Sequence, residues 1–339
     1  MTSNHRVAIL GMRDSGKTTF VGRLWLSVHS QVGKLRMAGL PQELRPLRQV
    51  SDFLLRGEYP PHTRMGELAS FNVPLRWQNG DTQQSFVLSF TDYAGEELNR
   101  IFSKRDLAWT DAWKARAEGA FGLLLFLRPK DIKAPRSPRL LDPPSDEEAR
   151  RWAAVTGEVS VQSAMPSDPD NDPSRFFDRA YLPEQKESRH PEPGQSVDPP
   201  TTVALVEVLQ FMRHQRGLAM GEVPDPNTFR VAVVVSCWDV VPEDWKQKGP
   251  EPFLHQHFPL VHDFLSTNFL PEGVRIFGLS STGGDLNEEG FRRQYTASEQ
   301  EEMGEVVYHP IREGSPRTDS DVTLPIGWLL EGDIALPRL

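Results

Sequence analysis

The stretch VAILGMRDSGKTTF, residues 7–20, decides the fold class of this 339-residue chain. Its apolar start predicts a buried strand, and the apolar residues that recur at helical spacing after Lys17 predict an amphipathic helix. Between the two, the residues from Gly11 to Thr18 match the pattern G-x-x-x-x-G-K-[ST]. Because this pattern lies between a strand and a helix, it predicts a loop whose backbone N–H groups surround the phosphates of a nucleotide.

The residue types in this loop suit that chemistry. Glycines let the backbone turn tightly around phosphates, Lys17 can reach the β- and γ-phosphates, and the Thr18 hydroxyl can bind magnesium. A chance glycine turn before a helix gives no packing reason for a lysine followed by a hydroxyl residue. The residues predicted to contact the nucleotide here are Gly11, Asp14, Ser15, Gly16, Lys17, Thr18 and Thr19.

A second magnesium-binding group is expected at the end of a neighbouring strand. The sequence FTDYAGE, residues 90–96, places Asp92 where an apolar strand ends and Gly95 three residues later. A carboxylate there can hold magnesium through water, and the Gly95 N–H can bond the γ-phosphate. The alternative is an ordinary turn at the end of a strand.

Strands and helices alternate along the rest of the chain. Further strands are predicted at 69–77, 85–90, 122–127, 229–236 and 274–279, and further helices near 53–55, 96–118, 201–217, 253–269 and 326–330. Asn79-Gly80 is typical of a hairpin turn, so the first two of these strands should be antiparallel. The pattern predicts an α/β fold with a doubly wound, mostly parallel six-stranded sheet, helices on both faces and one antiparallel hairpin strand.

Two long insertions are expected within a single domain that spans residues 1–339. Residues 128–200 contain 13 of the 29 prolines and few large apolar residues. Such a composition cannot offset the entropy lost on ordering, so this segment is predicted to be mostly flexible. Residues 283–321 are predicted to form a polar, loop-rich insertion.

Composition and charge narrow the class of protein. The formal net charge is −9, with 47 acidic and 38 basic residues, which argues against a nucleic-acid partner. No apolar run approaches the length of about 20 residues that a membrane-spanning helix needs, and no membrane partner is expected. Cys237 is the only cysteine, so an internal disulfide is excluded and a cytoplasmic location is predicted.

Four stretches in order give the chain a resemblance to the Ras-like, translation-factor-related class of P-loop GTPases. They are GMRDSGKT from Gly11, DYAG from Asp92, SCWD from Ser236 and SST from Ser280. Within this class the chain looks most like the bacterial double-GTPase type, because of its long insertions and its closing segment TLPIGWLL. The resemblance implies GTP or GDP and Mg²⁺ as ligands, and it says nothing about the two insertions.

The resemblance also implies how the base is read. The family uses the aspartate of an N-K-x-D motif, and Asp239 fits that role because a carboxylate offers two acceptors to the N1–H and N2–H₂ edge of guanine. Ser236 and Cys237 replace the asparagine and the lysine, which implies a reduced affinity for guanine. The residues predicted to contact the base are Ser236, Trp238, Asp239, Ser280, Ser281 and Thr282. Two alternatives stay open: Asp239 caps the following turn, or ATP is the ligand.

Two switch segments follow from the same resemblance. Thr63 is the candidate for closing on magnesium and the γ-phosphate, with Ser70 as the alternative. Glu96 stands where relatives carry a glutamine that orients the attacking water, so slow turnover is expected, and Glu97 is the alternative. Arg13 either supplies positive charge to the γ-phosphate or points to solvent.

Asp14 stands where relatives with cation-stimulated hydrolysis hold potassium, usually with asparagine, but the interpretation favoured here is a turn-stabilising carboxylate. The leading hypothesis is a GTPase that hydrolyses GTP to GDP and phosphate. It would act as a switch for an unidentified effector or regulator protein that engages the switch segments. The resemblance adds a bacterial conflict or defence role. The alternatives are a scaffold that binds GTP without turnover and a P-loop ATPase.

His255, His257 and His262 are not predicted to bind a metal, because their spacing does not place three imidazoles on one helical turn.

Overall fold

The central element of the fold is a mixed sheet of nine strands. The computed structural model describes residues 3–12, 14–41, 44–61, 69–79, 82–92, 114, 117–129, 201–219, 221–310 and 314–332, all of which belong to one compact unit. The strands are β1 Ser3–Gly11, β2 Leu35–Met37, β3 Ala69–Asn79, β4 Thr82–Asp92, β5 Ala120–Leu127, β6 Arg230–Ser236, β7 Val274–Ser280, β8 Glu305–Tyr308 and β9 Arg317–Asp319. Their order across the sheet is β2-β3-β4-β1-β5-β6-β7-β8-β9.

The six predicted strands form the interior of this sheet. Strands β4, β1, β5, β6 and β7 are parallel, and β3 is antiparallel to β4. The hairpin register runs as far as the pair Asn79 and Thr82, as the turn signal predicts, while Gly80 lies outside the described residues. The predicted doubly wound, mostly parallel α/β sheet is therefore confirmed.

Three short strands extend the sheet beyond the prediction. Strand β2 pairs with β3, β8 pairs with β7, and β9 pairs with β8, all antiparallel. The segment 283–321 is therefore not a loop-rich insertion, since it contains a helix as well as β8 and β9. Val306 and Tyr308 are buried in the core, and burying them favours pairing along the edge of β7. A four-residue strand within a polar segment is too short to give a periodic signal.

Helices cover both faces of the sheet. They are α1 Lys17–His29, α2 Arg45–Leu55, α3 Thr201–Gln215, α4 Glu243–Lys248, α5 Pro250–His257, α6 Pro259–Asn268, α7 Glu289–Ala297 and α8 Leu324–Glu331. Side chains of β5 alternate between two core clusters: Leu123 and Leu125 pack on the side of α3, α5 and α6, and Leu124 and Phe126 pack on the side of α1 and α8. This alternation explains the continuous apolar run of β5, because both of its faces are buried.

The single helix predicted at 253–269 is divided in two. Helix α5 ends at His257 and α6 begins at Pro259, with Phe258 between them at φ −132°. Proline has no backbone N–H to continue a helix, but it is favourable at a first helical position. The predicted insertion at 128–200 and most of the predicted helix at 96–118 lie outside the described residues. In the part of the chain that is described, no helix has the length and apolar character needed to cross a membrane.

Candidate nucleotide-binding site

The loop that follows β1 has the backbone of a tight phosphate-binding turn. Gly11 ends β1, and a Cβ atom at this position would lie 2.7 Å from the carbonyl oxygen of Phe126 in β5, so only glycine fits. Asp14 and Gly16 both have left-handed backbone angles, with φ of 62° and 83°. Helix α1 begins at Lys17 directly after this turn, so the free N–H groups of its first turn lie at the loop.

Lys17 lies inside the loop rather than in solvent. Its side chain is buried, and its Nζ donates to the carbonyl oxygens of Gly11 and Met12, each at 2.9 Å, and to Ser15 Oγ at 3.2 Å. The ammonium group is therefore held over the turn by three oxygen atoms. Phosphate oxygens carry full negative charge and form stronger bonds with an ammonium group than carbonyl oxygens do.

Asp92 lies at the same edge of the sheet as the loop. In the parallel pairing of β1 and β4, Asp92 is opposite Ile9, two residues before Gly11. The carboxylate of Asp92 and the hydroxyl of Thr18, in the first turn of α1, are oxygen ligands of the kind that Mg²⁺ prefers. This register and these donor groups therefore fit a magnesium ion next to the phosphate-binding loop.

The predicted base-reading residues come from the ends of two adjacent strands, β6 and β7. Cys237 follows β6 with φ 52°, and the chain then forms the short 3₁₀ helix Trp238–Val240. Ser280, the last residue of β7, donates from its Oγ to Asp239 Oδ1 at 2.6 Å. The same Oγ accepts a bond from the Gly283 N–H at 3.0 Å. One carboxylate oxygen of Asp239 is thus fixed by the neighbouring strand, which orients the whole group.

Ser236, itself one of the predicted base-reading residues, lies next to the phosphate-binding loop. It is buried and donates to the carbonyl oxygen of Leu127 at 3.0 Å, so its hydroxyl links β6 to β5. A Cβ atom at Gly16 would lie 3.4 Å from the Cβ atom of Ser236. Ser236 therefore packs against the loop, and its position connects the two halves of the site.

Other residues of the predicted set have different surroundings. The Trp238 side chain is fully buried, with its ring against Gly278 and 5.6 Å from the Phe253 ring, measured between centroids. The Trp238 side chain therefore packs in the core, and the predicted contact of this residue with the base stays a prediction. The Thr282 hydroxyl donates to the carbonyl oxygen of Gly284 at 2.7 Å, and so stabilises the turn after β7. Ser281 is partly buried in that turn, and Thr19 is partly buried in the first turn of α1.

Several predicted residues lie outside the described part of the chain. Arg13, Thr63, Gly95, Glu96 and the alternative Glu97 all belong to this group. Their roles in switching and hydrolysis stay predictions. Ser70, the alternative to Thr63, is opposite Thr91 in the β3–β4 pairing.

Two contacts at the site were missed from the sequence. Arg128, directly after β5, donates from Nη1 to the carbonyl oxygen of Asp14 at 3.1 Å. Tyr59 donates to Asp285 Oδ1 at 3.2 Å and accepts from the Leu286 N–H at 3.1 Å. A basic residue that directly follows a buried parallel strand is a sequence signal that could have pointed to Arg128. No such pattern marks Tyr59, which is 226 residues from Asp285.

Of the three histidines that were not predicted to bind a metal, His255 and His262 lie close together and His257 lies apart from them. His255 and His262 lie with ring centroids 4.6 Å apart, and Asp263 is beside them. They come together because the chain turns between α5 and α6, while the His257 ring packs on Trp245. Their possible ligand atoms all lie within 4.8 Å of one another, and the group lies at the surface.

The order of these elements at one edge of the sheet is that of a P-loop GTPase. The phosphate-binding loop follows the central strand, an aspartate ends the next strand, and a second aspartate follows β6. More narrowly, the sequence matches the Double-GTPase 1 family over residues 8–329, and the chain belongs to this family. The double-GTPase resemblance seen in the sequence is thereby confirmed.

Among solved structures, the chain is similar to the RocCORdC part of Roco2 from Methanosarcina barkeri bound to GDP. The identity is 11%, the TM-score is 0.25, and the alignment covers 89% of this chain and 52% of that one. The chain thus spans about half the length of that structure, and a similarity this weak does not bear on function. No curated protein matches the chain in sequence.

Proposed function

We propose that this chain binds GTP with Mg²⁺ and hydrolyses it to GDP and phosphate, and that it acts as a nucleotide-dependent switch for a protein partner. The observation that carries the proposal is the placement of three groups at one edge of the sheet. Lys17 lies in the phosphate-binding loop. Asp92, on the neighbouring strand β4, is paired with Ile9, two residues before that loop begins at Gly11. Asp239 is hydrogen-bonded to Ser280. Membership of a GTPase family agrees with this arrangement.

Lys17 supplies positive charge where phosphates bind. In the described structure its ammonium group is bonded to two carbonyl oxygens and one hydroxyl. A nucleotide offers anionic oxygens in their place, and the N–H groups at the start of α1 complete the phosphate contacts. Magnesium, held with help from Thr18 and Asp92, would neutralise charge on the β- and γ-phosphates.

Asp239 supplies the preference for guanine. Ser280 bonds to Oδ1 of its carboxylate, so Oδ2 and the second lone pair of Oδ1 stay available to accept the two N–H groups of guanine. Adenine lacks this pair of donors. Because Ser236 and Cys237 stand where the family motif has asparagine and lysine, we propose a weaker affinity for guanine than the full motif gives.

Hydrolysis and switching are proposed on the family pattern. Glu96 would orient the attacking water, Thr63 would close on magnesium, and Arg13 would supply charge near the γ-phosphate. A carboxylate next to the γ-phosphate repels it, so turnover should be slow unless a partner protein assists. A cytoplasmic role in bacterial conflict or defence is proposed on the same family basis.

Nucleotide identification tests the site itself. The purified chain is expected to contain or take up GDP or GTP, and Lys17→Ala is expected to reduce binding at least tenfold, because a charge-assisted contact to the phosphates is lost. Lys34→Ala is the matched control, since Lys34 lies beyond the other end of α1 and its Nζ packs over the Trp77 ring. Equal nucleotide content in the Lys17→Ala and wild-type proteins would refute the assignment of the loop.

Single-turnover hydrolysis separates the switch from its alternatives. Release of phosphate from bound GTP supports an enzyme, whereas bound GTP that stays intact over many hours supports a scaffold. Competition between GTP and ATP for bound GDP separates both from an ATPase. If ATP displaces GDP as well as GTP does, Asp239 does not read the base.

A further inference from the structure

We propose that Arg128 is a positioning residue that holds the phosphate-binding loop in its binding conformation. This inference rests on the proposed nucleotide-binding function. Arg128 directly follows β5, which lies beside β1 in the sheet. Its Nη1 donates to the carbonyl oxygen of Asp14 at 3.1 Å. A cation from a neighbouring strand thus contacts the loop, although it lies more than 100 residues from Asp14 in sequence.

Among the described residues of the loop, Asp14 is the one whose backbone most needs support. Its φ is 62°, in the left-handed region that glycine adopts readily and other residues rarely do. Aspartate tolerates this conformation better than most residues, but the conformation still carries strain. A charged donor on the Asp14 carbonyl oxygen stabilises the peptide unit in this orientation.

The bond to Arg128 also fixes the direction of the next amide. In a trans peptide unit the C=O and the following N–H point in opposite directions, and cis peptide bonds are absent from the described residues. Because the Asp14 carbonyl faces Arg128, the Ser15 N–H faces the inside of the loop, where it donates to the Met12 carbonyl oxygen at 3.3 Å. Lys17 Nζ donates to the same oxygen at 2.9 Å. The Ser15 N–H and the Lys17 ammonium group thus point at the same acceptor. A phosphate oxygen can take the place of the Met12 carbonyl oxygen as the acceptor for both donors.

Packing holds the Arg128 side chain in place. Its Nε is shielded from water and has no hydrogen-bond partner in the part of the chain that the structure describes. The base of the guanidinium is therefore enclosed, while its Nη1 reaches the surface of the loop. This arrangement limits where the tip can go, and it favours a fixed contact over a mobile surface charge.

The test compares the nucleotide affinity of the wild type with that of two Arg128 variants and one control variant of Arg216. Arg128→Gln is expected to raise the Kd for GDP and the Kd for GTP by the same factor, about fivefold to tenfold, as one charge-assisted bond is lost. Arg128→Lys keeps a donor and should be intermediate. Arg216→Gln is the control, because Arg216 donates to the carbonyl oxygen of Ala120 at the opposite end of β5. We expect it to change neither Kd by more than about twofold.

The outcomes separate this inference from the proposed function. If the wild type binds neither GDP nor GTP, the proposed function fails. If the wild type binds both and Arg128→Gln binds them equally well, only the role of Arg128 fails. If Arg128→Gln loses far more affinity for GTP than for GDP, the positioning role of Arg128 is also overturned, because the guanidinium would then contact the γ-phosphate directly. Should Arg128→Gln not fold, the Arg128→Lys variant decides by the same comparison.

Discussion

Gly11 ends the central strand and begins the phosphate-binding loop. A Cβ atom there would lie 2.7 Å from both the Phe126 carbonyl oxygen and Ser15 Oγ. To make room for a side chain at this position, β5 or the loop would have to shift, and a shift of either one would change the packing between them. This single position therefore couples the packing of the sheet to the shape of the site.

Replacing Gly11 by alanine should damage both stability and binding. We expect a loss of about 1–3 kcal/mol in the free energy of unfolding, the usual range for overpacking, together with a loss of GDP affinity. Urea unfolding and nucleotide titration measure the two effects. Gly290→Ala is the matched control, because Gly290 is in the first turn of α7 with open space around it. That change should leave stability unchanged or raise it by up to about 1 kcal/mol.

Asp239→Asn tests base recognition at the level of single atoms. The amide keeps an oxygen that can accept the Ser280 bond, but it replaces one acceptor with an N–H₂ donor. We expect GTP to bind at least tenfold more weakly. Xanthosine triphosphate, which has a carbonyl where guanine has its amino group, should bind better to the variant than to the wild type. If Asp239→Asn changes the affinity for GTP and for xanthosine triphosphate by the same factor, Asp239 does not face the base.

At the scale of elements, Tyr59 joins two parts of the site. It follows α2 and comes just before Thr63, and its hydroxyl bonds to Asp285 and Leu286 after β7. Burial raises the pKa of Tyr59 to about 12, so the hydroxyl keeps its proton at neutral pH. The entry to the first predicted switch is thus bonded to the segment that follows the predicted base-reading turn.

Tyr59→Phe removes this connection without changing the ring. We expect stability to fall by about 1 kcal/mol, the usual contribution of hydrogen bonding of this kind. Amide hydrogen exchange should become faster in residues 283–288, while exchange in α3 should stay unchanged. GDP should also dissociate about two to five times faster, because the turn that positions Ser280 is less restrained. Unchanged exchange at 283–288 would contradict the link.

The sequence predicts those elements that carry a long regular signal. Strand β5 is identified by the run of apolar or small residues at 122–127, which is buried on both faces, and α1 by its spacing after Lys17. Strand β8 has four residues in a polar segment, and its pairing with β7 depends on contacts that no local pattern shows. The break between α5 and α6 could have been placed from Pro259, since proline interrupts the backbone bonding of a helix.

The same limit applies to the site. The loop and Asp239 were predictable because each belongs to a motif with a fixed spacing. The bond from Arg128 to Asp14 depends on the order of β1 and β5 in the sheet, and the burial of Trp238 depends on its packing against Gly278. Tertiary contacts of this kind become visible only when neighbouring strands are known.

At the scale of the whole molecule, two histidines should make the fold sensitive to acid. Burial lowers the pKa of His309 and of His257 below the ordinary value of 6.5. The unfolded chain then binds protons more readily than the folded chain, so stability is full above about pH 6.5 and falls as the pH drops below it.

We therefore expect the Tm to fall between pH 7.5 and pH 5.5. His309→Gln should reduce the size of this fall, because the His309 ring is buried against Gly249 and resists protonation. His214→Gln, at an exposed position of α3, serves as the control. Thermal unfolding at the two pH values measures the effect. A pH response of the His309→Gln variant equal to that of the wild type would assign the acid sensitivity to other groups.

Among the strands that the structure describes, the outermost ones are only three residues long, Leu35–Met37 on one side and Arg317–Asp319 on the other. A strand of a second chain that paired with either edge could bond to only a few backbone groups. The apolar strand β7 offers no edge on this side, because β8 is paired with it. Short edges of this kind protect proteins against fibrous self-assembly. The sheet edges in the described part of the chain therefore offer hardly any backbone template for docking, and a protein that bound there would have to recognise the pattern of side chains.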